Sequence, residues 1–320
     1  MQVKAAEPPA AARPGRLRHR VRPQRAAPPR RWSRKVQGLG YAAPTAVFVT
    51  VLFLWPLLLV GRMSLSDWPL LAGDQGGNAP ENYTDAVDGT LFWPAVRFTL
   101  LYTAIVTVAL LGLALLLALL VQESRPGAGF FRTVYFLPGA LGLASASLLF
   151  WGLYSPTTGP LGRTPARLGL ADEPVSFLGT PTSALLSTVF LVVWKFAGFY
   201  MLILLVGLQR IPHEVYEAAR TDGASRAQIF RRITLPLLRP SLALSLLLCV
   251  TGSLLAFDQF FVLTKGGPDN STVTVVQLIY REAFQRLDLG TAAALSILVL
   301  GALLLLNVLQ FRGLRRADES

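Results

Sequence analysis

The sequence predicts an all-α, polytopic membrane protein with six transmembrane helices. Two facts of composition and one pattern carry that expectation. Of the 320 residues, 52% are hydrophobic and only 15% are charged, whereas a soluble globular chain carries about 25% charge. Several apolar runs reach the roughly 20 residues that cross a bilayer as a helix. Lysine and arginine crowd into alternate connections between these runs, as expected of a chain threaded back and forth through a membrane.

The spans follow in order. The first covers Tyr41–Met63, the second Phe98–Val121 and the third Thr133–Tyr154. The fourth covers Ser183–Leu208, the fifth Leu237–Leu263 and the sixth Thr291–Phe311. Pro56, Pro138 and Gly198 fall inside spans; such residues are tolerated where neighbouring helices re-pair the freed backbone. With the N-terminus inside, the tail, 122–132, 209–236 with Arg239, and the C-terminal end together hold 22 of the 30 basic residues. The outer connections hold seven, and Lys195 lies within a span. Cytoplasmic pieces carry the Lys/Arg excess, so both termini are expected in the cytoplasm.

Three segments divide the chain: a basic tail over 1–38, a membrane domain over 39–313 and a C-terminal tail over 314–320. Residues 1–40 contain eleven Lys/Arg against a single acid, Glu7, in a Pro- and Ala-rich setting. This composition predicts disorder. A membrane-proximal basic segment touches anionic lipid and fixes orientation, so lipid is the expected partner and nucleic acid is not. The tail does not read as a cleaved signal peptide, because the apolar run after it is of spanning length and lacks a small-residue cleavage site. The outer connection 64–97 is acidic and long enough for a short helix, while 264–290 opens on a turn signal, Gly266-Gly267-Pro268. Its later part, 272–287, mixes apolar and charged residues as a surface helix does.

Several chemistries are excluded. The only cysteine is Cys249, so no disulfide or cysteine metal cluster forms within one chain. His19 and His213 lie far apart in the sequence. The sequence has no G-x-x-x-x-G-K-[ST] phosphate loop, no H-E-x-x-H helix and no G-x-S-x-G elbow. A chain built this way binds no nucleotide or other cofactor itself and is not expected to be an enzyme. A membrane-embedded transferase would need clustered polar groups at one leaflet, and here they are sparse.

The polar stretch between the fourth and fifth spans is the most informative segment. Pro212 suits a helix start, and Glu214 and Glu217 favour the positive end of the helix dipole. Ala218 and Ala219 are small and helix-forming. Gly223 is placed to end the helix in a left-handed conformation. Ser225 and Gln228 form a capping-box pattern for a second short helix, with Ala227, Phe230 and Ile233 at helical spacing. Periodicity alone would also allow an amphipathic helix resting on the inner leaflet.

The pattern Glu217-Ala218-Ala219, three residues, Gly223, nine residues, Ile233-x-Leu235-Pro236 resembles the signature of permease subunits of binding-protein-dependent ABC importers. Asp222 before the glycine fits the same form. Leu208–Pro212, Asn82-Tyr83, Phe131–Thr133, Phe136–Pro138, Trp194 with Gly198-Phe199, Thr264 with Gly266–Pro268, Ala283-Phe284 and Gly290–Ser296 resemble the carbohydrate-uptake branch, the maltose and glycerol-phosphate type. The resemblance covers about 40–312. Gly162 and Ala227 depart from it, where many relatives carry Asn and an aromatic residue respectively.

The resemblance implies that the loop holds a coupling helix seated on an ATPase subunit, with Glu217, Ala218, Ala219, Asp222, Gly223, Ile233, Leu235 and Pro236 as the coupling residues. It further implies a second permease forming a heterodimer, two ATPase subunits that bind ATP and magnesium, an extracytoplasmic solute-binding protein, and a sugar-like solute. The expected place is a bacterial plasma membrane. Alternatives are a permease of the same class for another small solute, and an ion-coupled secondary transporter; the latter usually shows internal repeats, and none is evident in the sequence.

Lysine mid-span costs roughly 2.5–3.5 kcal/mol on insertion scales, so Lys195 should face the bundle interior or a watery cavity. It could donate to solute hydroxyls or phosphate, or make a structural contact for which Asp258 is one partner. Trp194, Lys195, Phe199 and Asp258 are therefore the residues expected along a solute path. Gln259 and Asn307 are expected to bond between helices. Deleting residues 1–30 is expected to leave uptake at the wild-type rate in cells with equal membrane levels of the protein; loss of uptake at equal levels would contradict a merely membrane-proximal tail.

Overall fold

The computed structural model describes residues 34–122, 127–169 and 172–318. The expected basic tail up to residue 33 and Arg125 of the 122–132 connection lie outside the described residues. The described residues form fourteen α-helices and contain no named strand, only two isolated bridges. Five helices are long and apolar enough to cross a membrane: Tyr41–Met63, Phe92–Val121, Pro181–Gln209, Arg226–Leu263 and Leu289–Gly313, and a bent pair makes up to six. The chain is a helical, multi-pass membrane protein.

Two compact units divide at Leu54 and Trp55. The first contains α1 (Arg34–Val49) followed by a π-turn over Thr50–Leu54. Tyr41, Phe48 and Phe53 are all exposed there, as suits side chains facing lipid.

The second unit begins with α2 (Trp55–Met63), α3 (Glu81–Asp88) and α4 (Phe92–Val121). The second span thus starts at Phe92 rather than Phe98, because Pro94 sits in the first turn where its missing N–H is not needed. Next come α5 (Ala128–Phe136), a 3₁₀ turn over Leu137–Ala140, and α6 (Leu143–Tyr154). These two helical pieces meet at 93°, where the sequence predicts one helix over Thr133–Tyr154. Pro138 removes a donor, and Leu141 and Gly142 turn extended, with ψ 144° at each.

After α7 (Pro160–Arg167) comes α8 (Pro181–Gln209), which is unbroken and begins with a reciprocal capping box between Thr180 and Ser183. It leads into α9 (His213–Thr221), α10 (Arg226–Ile229), a π-turn over Phe230–Thr234, and α11 (Leu235–Leu254). The fifth span is interrupted at its far end, where α12 (Asp258–Leu263) follows a short break. Last are α13 (Val275–Phe284) and α14 (Leu289–Asp318); α3 and α13 fall where the sequence expects helices in the outer connections.

The main core is a seam between α4 and α8. Tyr102, Val106, Leu110, Ala114 and Ala118 recur every four residues along α4 and are all buried, forming one ridge of a helix. Leu191, Met201, Leu204 and Leu208 of α8 belong to the same cluster. Two glycines bring other helices onto α8. A Cβ on Gly198 would lie 2.0 Å from the Tyr135 carbonyl oxygen of α5, and one on Gly207 would lie 2.3 Å from Ser241 Oγ of α11. Arg132 of α5 donates to the Val121 carbonyl at the end of α4 (2.7 Å), satisfying a helix C-terminus with a cation.

The end of the bundle away from α9 is held by hydrogen bonds among its connections. The Asn82 amide donates to the carbonyls of Ser64 (3.1 Å) and Ser66 (2.8 Å). Thr274 donates to the Ala256 carbonyl (2.7 Å), and the Val275 N–H donates to Thr99 Oγ1 (3.1 Å). On α13, burial pushes the Glu282 carboxyl up, opposed by Arg286 at 3.1 Å. Gly198→Val is expected to lower stability by about 1–3 kcal/mol through overpacking, read as thermal unfolding in detergent, while Gly301→Ala, with nothing within 4 Å of its added Cβ, stays near wild type.

Candidate functional site

Two sites emerge: the loop around α9 and α10, and a cavity among α4, α6, α8, α11 and α12. In the loop, Pro212 is the residue before α9 rather than its first, with ψ 142°. Glu214 lies in the first turn, where a carboxylate meets the unpaired N–H groups. The helix ends as the sequence predicts. Gly223 has φ +78°, its N–H bonds to the Arg220 carbonyl (3.0 Å), and the Ala224 N–H reaches back to Ala219 (2.9 Å). These are the two bonds of a Schellman ending, which a left-handed glycine makes without steric strain. The capping box also forms: Gln228 Oε1 accepts from the Ser225 N–H (2.8 Å), and Ser225 Oγ from the Gln228 N–H (3.3 Å).

α9 has two distinct faces. Val215 and Tyr216 pack on the main core and Ala219 is buried. Tyr216 Oη lies 3.4 Å from Thr234 Oγ1 at the entry to α11. On the other side His213, Glu214, Glu217, Ala218, Thr221 and Asp222 are exposed. Glu217 carries Oε1 3.5 Å from His213 Nε2, an exposed contact that contributes little to stability. Asp222, Gly223 and Ile233 come together with Gln228, Ile229 and Arg232 around a groove of about 240 Å³. Leu235 and Pro236 are half-buried at the start of α11. Pro236 has no N–H to return to the preceding turn, which accounts for the wide π-turn over Phe230–Thr234.

The cavity inside the bundle measures about 200 Å³. Tyr102, Leu143, Val192, Phe196, Tyr200, Ser253, Asp258 and Gln259 are among its lining residues. Asp258 sits in the first turn of α12, where the helix dipole favours its charge. Gln259 donates to Tyr102 Oη (3.0 Å), the interhelical bond expected of it. Asn307 likewise accepts from Thr251 across α11 and α14 (3.4 Å).

Of the four residues expected along a solute path, only Asp258 lines this cavity. Trp194 is half-buried with its ring 5.1 Å from that of Phe150. Phe199 is exposed, edge-on to Tyr200 at 5.3 Å. Lys195 is buried, and its ammonium donates to the carbonyls of Gly139 (3.3 Å) and Leu141. Among the described residues no ion pair joins Lys195 to Asp258. Sequence reasoning missed Tyr102, Tyr200 and Ser253 as lining residues. Their one signal was polarity within an apolar run, which does not say which way a side chain faces. In a double-mutant cycle, Tyr102→Phe and Gln259→Leu are expected to couple by about 0.5–2 kcal/mol in thermal unfolding; additive losses would deny the bond.

Comparison with known proteins agrees with this architecture. The family described as "Binding-protein-dependent transport system inner membrane component" matches residues 27–317. The chain is 30% identical over 278 residues to the multiple sugar-binding transport system permease protein MsmF of Streptococcus mutans, covering 87% of this chain and 95% of that one. It is 36% identical over 217 residues to the trehalose/maltose transport system permease protein MalF of Thermococcus litoralis, covering 68% and 72%. A chain in the crystal structure of a bacterial ABC transporter for import of alginate shares the fold, with a TM-score of 0.78 at 24% identity over 88% of this chain and 96% of that one. With the family matched over nearly the whole described chain, the protein belongs to the binding-protein-dependent transport system inner membrane components, the permeases of ABC transporters.

Proposed function

We propose that this chain is one of two permease subunits of an importer for a sugar or sugar-like solute, and that α9 with its flanking motif takes up the motion of a partner ATPase. The observation that carries the proposal is the division of α9 into a face fixed on the core and a face left open. Val215, Tyr216 and Ala219 hold the helix to the bundle, while Glu217 and Ala218 are exposed. A small residue beside a carboxylate lets a partner approach closely and pair with the charge.

In this reading ATP and magnesium are bound by the partner, since this sequence has no phosphate loop. ATP favours one state of the ATPase pair, and that differential affinity is what biases the bundle. A displacement of α9 passes into α8 through the short Arg210–Pro212 connection and into α11 through Tyr216 and Thr234. Both helices line the cavity of about 200 Å³, so the same motion alters the solute path there. Tyr102, Ser253, Asp258 and Gln259 supply polar groups, and Phe196 and Phe257 supply flat apolar faces, a mixture suited to a sugar.

The solute class is supported by relatives named for multiple sugars and for trehalose and maltose. The orientation is supported by the excess of Lys/Arg on the α9 side, and on this reading both termini and the ATPase lie in the cytoplasm. A solute-binding protein delivers at the opposite face, and a second permease completes the path.

Glu217→Lys tests the docking role. Uptake and co-purification of the ATPase are both expected to fall at least tenfold, with the variant present in the membrane at wild-type level. Wild-type uptake together with wild-type co-purification would refute it.

A further inference from the structure

We propose that Lys195 is a positioning residue: its ammonium latches the broken span so that α6 is held as a wall of the cavity. The proposal rests on the reading of that cavity as part of the solute path.

The break between α5 and α6 leaves carbonyls without their usual helical partners. Leu141 and Gly142 are extended, so the ladder of N–H groups that would serve this turn is gone. In hydrocarbon such groups must be satisfied from within the protein. Lys195 comes from the middle of α8, is 3% exposed, and donates to the carbonyls of Gly139 and Leu141. Its charge also lies at the C-terminal end of the first half-helix, where a cation is favoured. The Phe196 ring stands 4.9 Å from the same nitrogen, within cation–π range. The buried charge and the open turn therefore satisfy each other.

The latch grips both sides of the joint, at Gly139 and at Leu141, and its effect falls on the far side. α5 is already seated on α8, because Gly198 brings the Tyr135 carbonyl against the α8 backbone. α6 begins beyond the break, and its first residue, Leu143, lines the cavity beside Val192 and Phe196. Val192 and Phe196 flank Lys195 in α8. Holding Leu141 thus fixes where Leu143 stands, and with it one wall of the cavity. An amine reserved for solute would instead be free of backbone partners.

The test uses the full chain with its partner subunits in membranes. Spin labels are placed at Leu148→Cys in α6 and Leu186→Cys in α8, both exposed positions, in a Cys249→Ser background. Lys195→Met is expected to widen the distance distribution at least twofold and lower the maximal uptake rate at least tenfold, and Lys195→Arg to restore both in large part. A distribution unchanged in Lys195→Met overturns the latch, whatever happens to uptake; a raised KM with that unchanged distribution assigns the amine to the solute instead. Should Lys195→Met fail to insert, Lys195→Gln, whose amide nitrogen stops one bond short, is measured in the same way: a widened distribution supports the latch and an unchanged one overturns it. A widened distribution with wild-type uptake supports the latch and removes the cavity from the solute path.

Discussion

Every backbone N–H and C=O that enters hydrocarbon must find a partner within the protein, and the rest of this structure follows from that requirement. Continuous helices meet it without help, and α4 and α8 run unbroken for 30 and 29 residues. Several of the places where continuity fails among the described residues have a named remedy. Arg132 serves the end of α4, Thr180 and Ser183 serve the start of α8, and Lys195 serves the break between α5 and α6. Lys195, which looks out of place in an apolar sequence, is one of the side chains that make irregular backbone tolerable.

α8 is the helix on which α4, α5, α6, α11 and α12 pack. It shares the main core with α4, meets α5 at Gly198 and α11 at Gly207, and continues into the loop that carries α9. Close approach at glycine leaves little room for sliding, because interiors are packed at high density and respond as units. On the proposed reading of α9, motion entering there would travel along α8 and α11 as whole helices. The break in the third span is the exception, since one of its halves rides on α8 and the other turns away by 93°.

Much of this was legible in the sequence. The spans show as apolar runs because lipid contact imposes composition over a fixed length. The end of α9 shows at Gly223, and the start of α10 shows at Ser225 and Gln228, because both depend on local backbone geometry. The first part of α4, before Phe98, was hidden behind Arg97 and Pro94, which look like a boundary. The break at Pro138 was also hidden, since proline within a span is often absorbed as a mild kink. The solute-path residues were the least legible. Trp194 and Lys195 are consecutive and diverge by about 100° around α8, while Phe199, one turn beyond Lys195 on the same face, ends up exposed.

The sequence by itself determined the class, the approximate place of most apolar helices, the family motif and the local endings of α9 and α10, because composition, periodicity and capping act over one to a few turns. Only the tertiary structure decided that Lys195 meets the carbonyls of Gly139 and Leu141, that Gln259 meets Tyr102, and that Asp258 alone of the expected path residues lines the cavity. Those partners lie more than fifty residues apart, and their meeting depends on how helices cross rather than on anything encoded nearby.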